Sequence, residues 1–182
     1  AFALLAFLGA GHSEKVGQYK DNVKKAVSWL RSKQQANGLL MDNSDAGGHR
    51  GIGYPHAIAG MAVAEAAGMA RVPETISVAQ KAIEYSTEIH QQGEGSDKGA
   101  WRYAAKSVAD LSVTSWYIMQ LKSAKVAGLR VNPATVVQAY RDLEAEGFVE
   151  MRQGAGTFVR EVVAERRASE RTRQAVRLVR QL

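Results

Sequence analysis

Four histidines stand at His12, His49, His56 and His90, and the chain holds no cysteine. Imidazoles make a metal site when two share a helix face at i, i+4 or alternate as H-x-H, and these four do neither. The lack of cysteine removes disulfides, thiolate metal sites and cysteine nucleophiles together. Asp42-Asn43-Ser44-Asp45-Ala46-Gly47 begins as a calcium loop begins. Ala46 then stands where an oxygen ligand is required, and Gly53 where the bidentate glutamate belongs. Gly154-Ala155-Gly156 is not followed by the G-K-[ST] of a phosphate loop and reads as a hairpin turn. No serine or threonine is expected to stand with a histidine and an acid as a catalytic triad. No catalytic constellation, metal site or cofactor is expected.

The chemistry that the spacing does support is nucleic-acid contact. Asn132 is a preferred N-cap and Pro133 takes the first helical position, with Val131 and Val136 at the two places of a hydrophobic staple. Gly147 then closes the helix. Val136, Tyr140 and Leu143 recur at four and three residues and mark the buried face. Ala134, Thr135, Gln138 and Arg141 fall mainly off it, near the N-terminal half, where a recognition helix meets base edges and phosphates. Phe148 to Arg152 and Thr157 to Val159 are short β-type runs around Gln153-Gly154-Ala155-Gly156. A glycine turn carrying Arg152 and Gln153 suits close approach to a sugar-phosphate backbone. The same spacing also fits an ordinary helix followed by a β-hairpin.

The charge distribution points the same way. Of 182 residues with a net charge of +6, the part from Lys122 onward carries 12 Lys and Arg against 7 Asp and Glu; the part before it is nearly balanced. Hydrophobic residues make up 46%, ample for a core and against wholesale disorder. The opening AFALLAFLGAG has no basic leader and is too short to span a bilayer, so no membrane association is expected. With alanine at position 1 and Leu182 inside a helical pattern, the chain reads as a fragment at both ends. A cytoplasmic location fits the absence of cysteine.

Residues 1 to about 129 read as helices that must position whatever follows. Lys20 to Gln35 is amphipathic, with Val23, Val27 and Leu30 on one face. Ala57 to Gly68 is Ala-rich and suited to close packing. Glu74 to Gln91 sets Ile76, Ala79, Ile83 and Ser86 in register, and Val113 to Gly128 offers Trp116, Met119 and Val126 to a core. The order repeats: the endings Gly11, Gly68 and Gly128 lie 57 and 60 residues apart, and Trp29 and Tyr85 lie 56 apart. Glutamine and then glycine follow each: Gln34 with Gly38-Leu39-Leu40, Gln91 with Gly99-Ala100-Trp101. Such helical hairpins bury their apolar faces only by stacking on neighbours.

On WL-x3-Q-x3-G-x-L at Trp29 to Leu40, Q-x7-G-x-W at Gln91 to Trp101, and DLSVTSWYIMQLKSAKVAGL at Asp110 to Leu129, this part resembles the α/α toroid repeats of squalene cyclases and prenyltransferases. The resemblance implies that the motif glutamines and tryptophans tie repeats together. The family's chemistry is not implied, because the acid motif D-x-D-D and the zinc-ligating cysteine are both missing. This part is expected to be non-catalytic, with two and a half hairpins where a closed toroid has five or six.

The string V-N-P-A-T-V-x-x-A-Y-R-x-L-E-A-E-G-F-V-E-x-R-x-G-x-G-T-F-V, from Val131 to Val159, is similar to the winged helix-turn-helix of the GntR transcription regulators. The likeness implies that Asn132, Pro133, Ala134 and Thr135 begin the recognition helix and that Arg152, Gln153 and Gly154 form the wing tip. It continues into the C-terminal helix and resembles the short-tailed branch, which dimerises through two such helices. There Ala168, Thr172, Ala175, Val179 and Leu182 recur at four and three residues as a pairing seam. Upstream, LKSAKVAGLRV finishes a toroid repeat in place of the family's two preceding helices, with Lys125 the nearest counterpart of their arginine.

The expected architecture is therefore mainly α: toroid-type α/α-hairpin repeats over 1–129, a partial winged helix with a β-hairpin wing over 130–160, and a dimerisation-type helix over 161–182. The expected function is a non-enzymatic, homodimeric regulator of GntR type that binds double-stranded DNA. The alternatives are a non-catalytic structural or interaction protein built from toroid repeats, and a chimeric fragment without selected function.

Overall fold

Small side chains let helix backbones approach closely, and the stretch from Gly53 to Ala70 uses this on almost every side. The computed structural model describes residues 1–41, 51–91, 99–103, 110–132, 137, 140, 141, 144, 147, 149–152 and 156–159. These residues are mainly helical: α1 (Phe2–Gly9), α2 (Lys20–Ser32), α3 (Gly53–Ala70), α4 (Pro73–Glu84) running into a π-helical turn at Tyr85–His90, and α5 (Leu111–Val126). The short strands β1 (Val149–Arg152) and β2 (Gly156–Val159) follow. The chain divides into two compact units, residues 1–136 and 137–182.

In the first unit α3 is the central helix, packed against α1, α2, α4 and α5. It shows no polar stripe because Ala57, Ala59, Ala62, Val63, Ala64, Ala66 and Ala67 bury it all round. Gly60 gives the closest approach: a Cβ there would sit 2.0 Å from Nε2 of Gln120 on α5. α2, by contrast, buries one stripe, Val23, Val27 and Leu30, against Leu4, Leu8, Val63, Val78 and Ala82.

The helix ends follow their local chemistry. After α1, Gly11 takes φ +84°, its N–H bonds Leu8 O at 2.9 Å, and the N–H of His12 bonds Phe7 O at 3.0 Å. After α5, Gly128 takes φ +74°, its N–H bonds Lys125 O at 3.1 Å, and the N–H of Leu129 bonds Ala124 O at 2.9 Å. Both are Schellman closures. Asp110 caps α5, its carboxylate accepting from the Val113 N–H at 2.9 Å. Beyond α5, Gln80 on α4 holds the backbone of Arg130 twice, accepting its N–H at 2.9 Å and donating to its carbonyl at 3.1 Å.

Three expectations need correction. Gly68 does not end its helix: α3 runs on to Ala70 and closes at Arg71, the one non-glycine residue with positive φ among those described (φ 51°). Gly68 instead clears space for Ala127, whose Cβ would stand 3.0 Å from an added Cβ. On α5 the buried residues are Val113, Thr114, Tyr117, Ile118, Gln120, Leu121 and Ala124. Met119 and Val126 are exposed, and Trp116 is half-buried with its ring against Phe2. Two buried polar residues on that helix disguise which face is inside. Trp29 is likewise 55% exposed, whereas Tyr85, at the matching place, is buried.

In the second unit, residues 137, 140, 141 and 144 are helical and Gly147 has φ +77°, its N–H bonding Glu144 O at 2.9 Å. β1 and β2 pair antiparallel with Val149 opposite Val159, Glu150 opposite Phe158, Met151 opposite Thr157 and Arg152 opposite Gly156. The Glu144 carboxylate accepts the Met151 N–H at 2.7 Å and ties the helical segment to β1. Val149 is buried and Tyr140 half-buried. Val136 and Leu143, assigned to the same buried face, lie outside the described residues.

Candidate nucleic-acid interface and a buried histidine cluster

Of the residues expected to touch DNA, three can be placed. Asn132 is exposed and non-helical, Arg141 is exposed on the helical segment, and Arg152 is exposed at the last position of β1. Pro133, Ala134, Thr135, Gln138, Gln153 and Gly154 lie outside the described residues, as do Ala168, Thr172, Ala175, Val179 and Leu182 of the pairing seam. The loop from Asp42 to Gly47 lies outside them too.

Arg152 is engaged on its own strand. Its Nε donates to Glu150 Oε1 at 3.0 Å and an Nη to Glu150 Oε2 at 3.3 Å. Its guanidinium lies 5.0 Å from the centre of the Phe158 ring. The bonds to Glu150 push the guanidinium pKa further up, so the charge is permanent. Residues i and i+2 of a strand share a face, as do directly opposed partners, so Glu150, Arg152 and Phe158 form one cluster.

The first unit holds a polar cluster that single helices do not advertise. His56 on α3 is fully buried, its Nδ1 accepting the Leu40 N–H at 3.0 Å. Nε2 therefore carries the proton and faces Ser86 Oγ at 3.0 Å and Ala82 O at 3.2 Å. Ser86 Oγ lies 2.9 Å from both Ala82 O and Gln120 Oε1. Gln120 Nε2 and the Tyr117 hydroxyl are buried without a hydrogen-bond partner among the described residues.

Aromatic rings extend the cluster. Trp101 and Tyr117 stack at 5.0 Å and 2°, and His90 stacks on Tyr117 at 5.4 Å and 22°. Tyr85 meets His56 edge-on at 4.7 Å. The Trp101 indole donates to Ser86 O at 2.7 Å, and His90 Nε2 lies 3.0 Å from Arg102 O. Burial pulls the His56 pKa down to about 3 against an upward pull from the Ala82 carbonyl, with nearby His90 lowering it further. Burial lowers His90 as well and raises the Tyr117 hydroxyl well above its ordinary value.

A serine beside a histidine invites comparison with nucleophilic catalysis, and the geometry answers it. A base must accept the hydroxyl proton, but Nε2 already holds a proton because Nδ1 is committed to Leu40. Among the described residues no carboxylate orients the imidazole, and His56 and Ser86 are both fully buried. This is a packed polar core. The sequence does not show it because His56, Ser86 and Gln120 stand on separate elements; the position of Ser86 in register with Ile76, Ala79 and Ile83 was the one available signal.

Among the described residues, no group of three or more His, Asp or Glu side chains could hold a metal ion, and no helix is long and apolar enough to cross a membrane. Comparison with protein-family models, with curated proteins and with solved structures finds no match for this chain.

Proposed function

We propose that the chain is a non-catalytic, cytoplasmic DNA-binding regulator of the GntR type, acting through a partial winged helix-turn-helix and pairing as a homodimer through its C-terminal seam. The observation that carries this reading is the glycine-closed helical segment leading into a β-hairpin with exposed Arg152 at the end of its first strand. Arg141, exposed on the helical segment, supplies a second cation for the same backbone. Contacts of this type release counterions, so affinity falls steeply with salt. A shift assay of the full chain with short duplexes at low salt tests it. Binding that weakens with salt and is reduced in Arg152→Ala is expected; no binding, or binding indifferent to Arg152→Ala, overturns the reading.

A second reading is a structural or interaction protein of toroid-type repeats, and a specific correspondence favours it. Gln34 Nε2 donates to Gly38 O at 3.2 Å, and Gln91 Nε2 donates to Gly99 O at 2.7 Å. Two residues past each glycine, a buried residue gives its N–H to a side chain on the next helix: Leu40 to His56, Trp101 to Thr114 at 3.1 Å. Gln34 also donates to Val78 O at 2.9 Å and so ties one hairpin to the next. Deletion from Asn132 onward separates the readings: a folded helical remnant supports this one, and unfolding counts against it.

A further inference from the structure

Arg152 has a planar fork of donors, and Nε and one Nη of it go to the two oxygens of the Glu150 carboxylate, in the bidentate manner in which a guanidinium takes a phosphate. Phe158, opposite Glu150 in register, lies beneath the guanidinium. Gly156, opposite Arg152 itself, puts no side chain in the way. Three positions of one hairpin face thus place the same cation over one ring and against one anion. The pair is not sealed in: the side chains are 58% and 39% exposed, so an incoming anion reaches both.

We propose that Glu150 is a built-in competitor for the anion that Arg152 takes up, so that DNA binding exchanges the Glu150 carboxylate for a backbone phosphate. This rests on the DNA-binding reading and adds its control: the cation is held in reserve, and affinity is set by the difference between two anions on one fork. Phe158 keeps the guanidinium in place during the exchange. The contact is therefore with phosphate rather than with a base edge, and it governs affinity without choosing sequence.

The test is a double-mutant cycle on the full chain, measuring anisotropy of a labelled short duplex at fixed low salt for wild type, Glu150→Gln, Arg152→Gln and the pair. Exposed ion pairs are weak, so Glu150→Gln is expected to tighten binding about two- to fivefold when Arg152 is present. In the Arg152→Gln background the same change is expected to do much less. Equal tightening in both backgrounds means general charge repulsion and overturns the exchange. Wild-type binding that Glu150→Gln leaves unchanged overturns it too, while the DNA reading stands. Binding by none of the four proteins overturns both. Circular dichroism of each variant confirms that the fold is kept.

Discussion

Leu40 donates its backbone N–H to Nδ1 of His56 across 3.0 Å, and that bond decides what the imidazole can be. With one ring nitrogen accepting, the other must donate, and it has Ser86 Oγ and Ala82 O to donate to. Protonating Nδ1 would set two donors face to face inside the core. The low pKa, about 3, is the same fact in thermodynamic form.

The first prediction is acid sensitivity. His56 binds a proton in the unfolded chain below about pH 6.5 but in the folded chain only near pH 3, so the unfolded state holds more protons between those values. Stability is full above pH 6.5 and is lost as pH falls toward 3, by on the order of 4 kcal/mol from this group. His90, also lowered, contributes in the same direction. Urea unfolding at pH 7, 5.5 and 4.5 should show the decline, and His56→Gln should flatten it while lowering stability at pH 7. Equal slopes for the two proteins would contradict the assignment.

Tyr117→Phe should behave unlike a usual core truncation. The hydroxyl is buried and has no hydrogen-bond partner among the described residues, so removing it relieves a desolvation cost and leaves the stacks on Trp101 and His90 in place. The expected change lies between neutral and about 1 kcal/mol of stabilisation. A loss beyond about 1 kcal/mol, read from the shift in denaturant midpoint, would show that the hydroxyl has a partner.

Two glycines should fail for different reasons. Gly60→Ala drives a Cβ into the Gln120 amide, which is buried and bonded through Oε1 to Ser86, at a cost of about 2 kcal/mol or more. Shortening the obstacle in Gly60→Ala with Gln120→Ala should recover part of that loss, a positive coupling in a double-mutant cycle. Gly38→Ala meets the backbone carbonyl of Lys81 at 2.2 Å and also sits at φ +94°. No side-chain change can relieve a backbone clash, so additivity is expected there.

How much of this could be read in advance depended on how local each cause is. The stripe Val23, Val27, Leu30 was plain because α2 has one wet side. Gly11, Gly128 and Gly147 were plain because a helix end with positive φ needs little beyond its own residues. The buried face of α5 was misjudged because Thr114 and Gln120 are inside it, held by Trp101 and Ser86 from other elements. Arg71 gave no warning, since arginine is not a residue expected to end a helix at positive φ. At the hairpin, Arg152 was legible as a cation, whereas its engagement by Glu150 and Phe158 depends on strand register.

The π-helical turn at Tyr85–His90 works as a counted insertion. A π turn holds one more residue than an α turn, and each residue of a helix carries about 100° of rotation. The wider turn absorbs that extra residue, so the residues beyond it keep the phase of an uninterrupted α-helix one residue shorter. A further single insertion should swing His90 off the face of Tyr117 and turn Gln91 away from Gly99, although neither had been mutated. The information at this place is therefore a length: a single deletion that restores the α turn should pass, and a second insertion should not.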